Sequence, residues 1–200
     1  MNAQTSCFTA LCKKKPALTL SYNRRGYCSS CYLSMIEARI RKALRTTSPI
    51  DVKRTFRMLN DDSPEYHVAR HFLDRIFGEH LKLKVVSCLP TNKDKKKQEL
   101  LHTLKKDEQL ILATSMDAAL ASDFEKFIRN VRGVKKDKRI ISILDNVLDE
   151  ELAWLARLLK INKNSVQHKN PLIESIEKKH PGSKFCLKKS LAYIQVVESR

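Results

Sequence analysis

Six cysteines occur in the chain, and four of them fall close together as Cys7-x4-Cys12-x15-Cys28-x2-Cys31. No other feature constrains the fold as strongly. Two close pairs separated by a loop can bring four thiolates to the corners of one tetrahedron, the arrangement a structural Zn²⁺ takes. Thiolates suit this ion because it is borderline soft and has no geometric preference of its own to violate. Each pair can chelate from a tight turn, leaving the basic loop between them to be shaped by the metal. A reduced, metal-free set and two disulfides are the alternatives. Disulfides need an oxidising compartment, and the N-terminal residues carry no apolar signal-peptide core. Zinc held by Cys7, Cys12, Cys28 and Cys31 is therefore expected. So small a module buries little apolar surface, and the metal would have to stabilise it.

The other ~150 residues can bury an ordinary core. Hydrophobic content is 42% with no long apolar run, which indicates a soluble globular protein without a membrane span; an intracellular, cytoplasmic location is expected. The net charge of +17 points to a polyanionic partner, with nucleic acid foremost. The charge is clustered at Lys13-Lys14-Lys15, Arg24-Arg25, Arg39/Arg41/Lys42/Arg45, Lys53-Arg54, Lys93 to Lys97, Lys135/Lys136/Lys138/Arg139 and Lys188-Lys189. Any one run reads as solvated surface, but together they imply a phosphate-rich ligand. No separate amphipathic basic helix supports a lipid surface instead.

Residues 32–45 read as a helix, with Leu33, Ile36, Ile40 and Leu44 at helical spacing and Arg39, Arg41, Lys42 and Arg45 off that stripe. Pro49 closes this section. Two parts are thus expected, a zinc module with its basic helix over 1–48 and an α/β domain over 49–200. Beyond the boundary strands and helices alternate. Strands are expected at Val52–Leu59, Leu83–Leu89, Leu110–Ala113 and Arg139–Leu144. Helices are expected at Glu65–Phe77, Lys95–Lys106, Ala118–Val131 and Asp149–Leu159. A polar loop over 162–170, a short helix at Pro171–His180 and a basic C-terminal segment complete the chain. Such alternation predicts a doubly wound parallel sheet.

In such sheets ligands bind where strands deliver into helices, first here at Phe56-Arg-Met-Leu-Asn-Asp-Asp-Ser-Pro-Glu-Tyr66. A four-cysteine module ending in CxxC and an aromatic, a basic helix, and then this strand-turn-helix resemble the tRNA-thiolating branch of the PP-loop ATPases. The later blocks Leu112–Leu120, Arg139–Leu152, Asn170–Glu177 and His180-Pro-Gly-Ser183 follow in matching order. The specific resemblance is to the second-subunit family of the cytoplasmic tRNA 2-thiolation complex, which helps convert the wobble uridine of certain tRNAs to 2-thiouridine. It implies a PP-loop-like fold, tRNA as ligand, a homologous catalytic subunit as partner, and a ubiquitin-like sulfur carrier reached through that subunit.

The phosphate turn departs from the family's active pattern, SGGxDS. There, glycines let backbone amides approach the ATP phosphates and serines add donors. Here the turn is Asn60-Asp61-Asp62-Ser63-Pro64-Glu65. It lacks glycine, Pro64 has no N–H to donate, and its three carboxylates are expected to face the pyrophosphate position and repel it. Pro64 opening a helix behind Asp62 or Ser63 as N-cap is the ordinary structural explanation. No ATP is expected to bind. Cys88, in an apolar strand, reads as a buried small hydrophobe, and Cys186 has only basic neighbours to suggest reactivity. The cysteine-rich region that usually follows the core in this family is absent from the sequence.

The expected function is a non-catalytic tRNA-binding subunit, with Lys13, Lys14, Lys15, Arg24, Arg25, Arg39, Arg41, Lys42 and Arg45 meeting phosphates. A divergent active sulfurtransferase and a zinc-ribbon RNA- or ribosome-binding protein are the competing classes.

Overall fold

The computed structural model describes residues 6–46, 50–89, 92–130, 137–161 and 170–198. Pro49 with the expected boundary near 48, Pro90, Val131, Lys135, Lys136 and the polar loop over 162–169 lie outside the described residues. Two compact units are formed. One comprises Met1–Ile36, Met116–Lys135 and Gln167–Arg200; the other comprises Glu37–Ser115 and Lys136–Val166.

The first unit opens with an antiparallel hairpin, β1 (Leu18–Thr19) and β2 (Gly26–Tyr27), in the segment expected as a basic loop. Helix α1 (Ser29–Thr46) follows at once. Leu18, Leu20, Tyr27, Tyr32 and Ile36 are buried, and the Tyr27 and Tyr32 ring centroids lie 6.4 Å apart. The same unit contains α4 (Met116–Ile128), α6 (Pro171–Lys179) and α7 (Ser183–Glu198). Leu120 of α4, Ile173 of α6 and Leu191 of α7 form one buried cluster, with Phe124 and Leu187 packed against it. The C-terminal segment is thus a helix where only a basic tail was expected. Its adjacent charges, Lys188 and Lys189, hide the i, i+4 pair Leu187 and Leu191.

The second unit carries the sheet: β3 (Thr55–Asn60), β4 (Lys82–Ser87), β5 (Glu108–Leu112) and β6 (Ile140–Ser142). All pairings are parallel, in the order β4-β3-β5-β6. The chain starts at an interior strand, steps to one edge, then returns to build the other side. This is the doubly wound α/β architecture expected from the alternation. Helices α2 (Pro64–Phe77), α3 (Lys93–Thr103) and α5 (Asp149–Leu158) belong to this unit, α2 packing on α5.

The first strand begins three residues later than the sequence suggests. Val52 is exposed, whereas Phe56 and Met58 are fully buried, so the apolar alternation that defines the strand starts only after Lys53 and Arg54. Arg57 is tolerated in this central strand because its guanidinium meets buried Glu108 at 2.6 Å. Burial pushes the Glu108 carboxyl up, but the Lys105 amide and the Arg57 charge outweigh it and hold the group below the usual range. Leu59, Leu110 and Leu112 form a core with Leu100 of α3 and Leu104 at its end. Among the described residues no helix is long and apolar enough to cross a membrane.

Candidate functional site

The four N-terminal cysteines converge. Their sulfurs all lie within 4.8 Å of one another, and Cys12 Sγ stands 3.7 Å from Cys28 Sγ. With Zn–S bonds of about 2.3 Å, tetrahedral thiolates stand roughly 3.8 Å apart, so the spacing is that of ligands around a single ion. Local structure explains the convergence. The Cys7 amide donates to the Lys14 carbonyl at 2.9 Å and the Cys12 amide to the Thr9 carbonyl at 3.1 Å, closing the first turn. Leu11 takes a left-handed φ of 66° inside it. Cys28 follows β2 directly, and Cys31 lies in the first turn of α1.

Electrostatics favour thiolate at Cys7 and Cys28. The Cys28 amide approaches Cys7 Sγ at 3.4 Å; burial pushes the Cys7 thiol up, yet this bond and Thr9 hold it below its ordinary value. Cys28 is held down at about 6, first by the Ser30 hydroxyl and then by the Cys31 amide. Cys31 is pushed up to about 11; the Thr9 bond lowers it, but the neighbouring cysteines and burial raise it further. Four thiolates this close repel one another strongly, and a bound dication removes that repulsion.

The turn over residues 60–65 lies at the carboxyl edge of the sheet, where β3 and β5 are adjacent and the chain winds in opposite directions. That is where open α/β sheets place ligands. The amides of Asp62 and Ser63 and the Ser63 hydroxyl are engaged within the turn. The Asp62 amide donates to Asn60 Oδ1 at 2.9 Å, and the Ser63 amide to Asp61 Oδ1 at 3.2 Å. Ser63 Oγ donates to Asp61 Oδ1 at 2.6 Å and accepts the Tyr66 amide at 3.2 Å. Ser63 is thus the N-cap of α2, with Pro64 in its first turn. Asp62 has φ 57°, a left-handed conformation that glycine favours and aspartate tolerates.

Of the three carboxylates expected to face a pyrophosphate, only Asp62 is exposed; Asp61 and Glu65 are buried. Asp61 is buried and ion-paired with Lys93 Nζ at 2.5 Å. Burial pushes its carboxyl up, but Lys93 and Ser63 outweigh that and hold it low. Asp62 is 68% exposed and meets His67 Nε2 at 3.0 Å. Glu65 is buried in the first turn of α2. The physical reason is topological. Parallel pairing of β4 beside β3 brings the start of α3 next to the residue that follows β3, and nothing local in the sequence signals Lys93 as the counter-ion of Asp61.

The basic residues divide. Lys13, Lys14, Lys15, Arg24, Arg25, Lys42 and Arg45 are exposed. Arg25 lies over the Phe8 ring, 4.0 Å from its centroid. Arg39 instead reaches inward to Glu151 at 2.7 Å and to the Asn146 carbonyl at 3.0 Å. Arg41 pairs with Glu37 one helical turn back at 2.8 Å, and Glu37 is shared with Arg75 of α2. Cys88 is half-buried against the Leu59 core, its thiol pushed up by burial and then by the Asp61 charge. Cys186 is exposed.

No family model matches the sequence, and no curated protein matches it. The fold does have a solved counterpart. The U34-tRNA thiolase NcsA from Methanococcus maripaludis, in a structure with its 4Fe–4S cluster, superposes with a TM-score of 0.74. The match covers 97% of this chain and 89% of that one at 13% identity, so the likeness is one of fold. Thiolate-held clusters draw on several cysteines, and outside the N-terminal set this chain has Cys88 and Cys186, in different units. The N-terminal four, with sulfurs within 4.8 Å of one another, have a spacing that suits one ion.

Proposed function

We propose that this chain is a non-catalytic tRNA-binding subunit of a wobble-uridine 2-thiolation complex in the cytoplasm, acting with a catalytic PP-loop ATPase homologue. The observation that carries the reading is the turn over residues 60–65. It stands at the carboxyl edge of the sheet, where such folds bind ligands, yet Asn60, Asp61 and Ser63 take up the amides of Asp62, Ser63 and Tyr66, and Pro64 has none to offer. A polyphosphate arriving there would have to displace these bonds and the Asp61–Lys93 pair. The net charge of +17 and the exposed cations of the cysteine module support tRNA as ligand. In this reading Zn²⁺ in the four-cysteine set is structural, and a ubiquitin-like sulfur carrier reaches the complex through the catalytic subunit.

The fold neighbour is itself a thiolase, which favours a second reading, a divergent enzyme with another phosphate cradle. Reconstitution separates the two. The purified chain should show no ATP–pyrophosphate exchange with tRNA, and thiolation should appear only when a catalytic homologue is added. Thiolation by the chain alone, given ATP and a sulfur donor, would establish the second reading.

A further inference from the structure

A concave pocket of about 790 Å³ opens beside the cysteine set. Phe8, Tyr27 and Met35 give it apolar walls, and Thr9, Ser30 and Ser34 contribute hydroxyls. Phe8 and Tyr27 meet edge to face, with centroids 5.8 Å apart. Phe8 is still 45% exposed as a residue, and Leu11, on the same turn, is fully exposed. Arg25 covers the Phe8 ring, and Lys13, Lys14, Lys15 and Arg24 are exposed in the same small module.

This combination has a chemical meaning. Lysines are depleted where protein partners dock, whereas cations interleaved with an exposed aromatic are how single-stranded nucleic acid is held. Unstacked bases lie on aromatic rings or guanidinium planes and bond through their edges, and a duplex offers no such base. The pocket's volume lies within the range of small-ligand sites. We propose that it takes one unstacked nucleobase of a single-stranded RNA segment. The hydroxyls meet the base edge, and the lysine tract with Arg24 holds the flanking phosphates. The proposal rests on the RNA-binding reading above and adds the mode of recognition to it.

The test measures binding of the full, metal-loaded chain to a short single-stranded oligoribonucleotide and to an abasic strand with the same number of phosphates. The base-bearing strand should bind about tenfold more tightly, the scale of one base–aromatic stack. Phe8→Ala should erase that difference and leave the abasic affinity unchanged. Should Phe8→Ala lose its metal, Ser34→Trp fills the pocket from an exposed helical position and should act alike. Equal affinity of the unaltered chain for both strands overturns the pocket and leaves RNA binding standing; binding of neither overturns both. A base preference that survives both variants, or a pocket variant that loses capture of the catalytic homologue instead, also overturns it.

Discussion

Arg39 and Glu151 form an ion pair in which the carboxylate is completely buried, with Nη1 and Oε2 2.7 Å apart. Glu151 also accepts the Leu148 amide at 3.0 Å, so one side chain both caps α5 and anchors α1. Arg39→Ala leaves that carboxylate buried without its charge partner. A loss of about 3–5 kcal/mol is expected, the usual cost of breaking a buried pair from one side. Thermal or urea unfolding measures it. A change within experimental error would show that the pair is structurally idle.

The exposed cations should behave in the opposite way. Replacing Lys42 and Arg45 with alanine should leave the melting temperature nearly unchanged. The slope of log K against log salt for tRNA should flatten by about 0.7–0.9 for each phosphate that is no longer neutralised. Lys13, Lys14 and Lys15 are expected to follow the same rule. If the Lys42 and Arg45 replacements leave the slope as it was while the fold is intact, the end of α1 does not touch RNA.

These contrasts mark what could be read from the chain beforehand. The strand and helix alternation and the cysteine spacing are local patterns, and both appear in the structure as the sequence implies. Arg39, Arg41 and Lys42 look alike in sequence because each is a cation on one helix. Their fates diverge because Glu151 and Glu37 are placed by tertiary packing and by one helical turn, respectively. Lys93 and Asp61 are 32 positions apart in sequence and meet only because β3 and β4 are parallel neighbours. Helix α7 was obscured by its own lysines.

The Arg57–Glu108 pair predicts an acid-sensitive step in the sheet unit. Burial raises the Glu108 carboxyl, but the Lys105 amide and Arg57 win, so its folded pKa lies below the unfolded one. Such a group stabilises the fold above the unfolded value of about 4.3, and the contribution fades as pH falls through the folded value. Urea midpoints should therefore drop as the pH falls below about 5. Glu108→Gln, less stable at neutral pH, should show a shallower drop. Parallel curves for the two proteins would remove Glu108 from the acid response.

The cysteine set predicts one zinc per chain and little iron. Sulfurs confined within 4.8 Å suit a single tetrahedral ion. Elemental analysis should find zinc near unit stoichiometry. Cys28→Ser should lose it and loosen the hairpin and the start of α1, because metal binding and local folding are linked. Full zinc retention by a Cys28→Ser/Cys31→Ser variant, or stoichiometric iron with sulfide, would overturn the assignment.

The turn over residues 60–65 predicts that the chain alone does not bind ATP. Its conformation is held without a ligand: Asn60 and Asp61 accept the amides of Asp62 and Ser63, Ser63 caps α2, and Lys93 neutralises Asp61. Calorimetry with Mg–ATP should therefore give no saturable heat. Ser63→Ala should cost about 1 kcal/mol of stability, the worth of an N-cap, without altering nucleotide affinity. A single change such as Asp62→Gly would relax the left-handed φ of 57° but restore no donor, because the amide at position 62 would still be held by Asn60. Recovery would require Asn60, Asp61 and Pro64 to change together, freeing the amides and removing the negative charge at once. Saturable ATP binding that Ser63→Ala abolishes would instead make Ser63 a phosphate ligand, and the chain an enzyme.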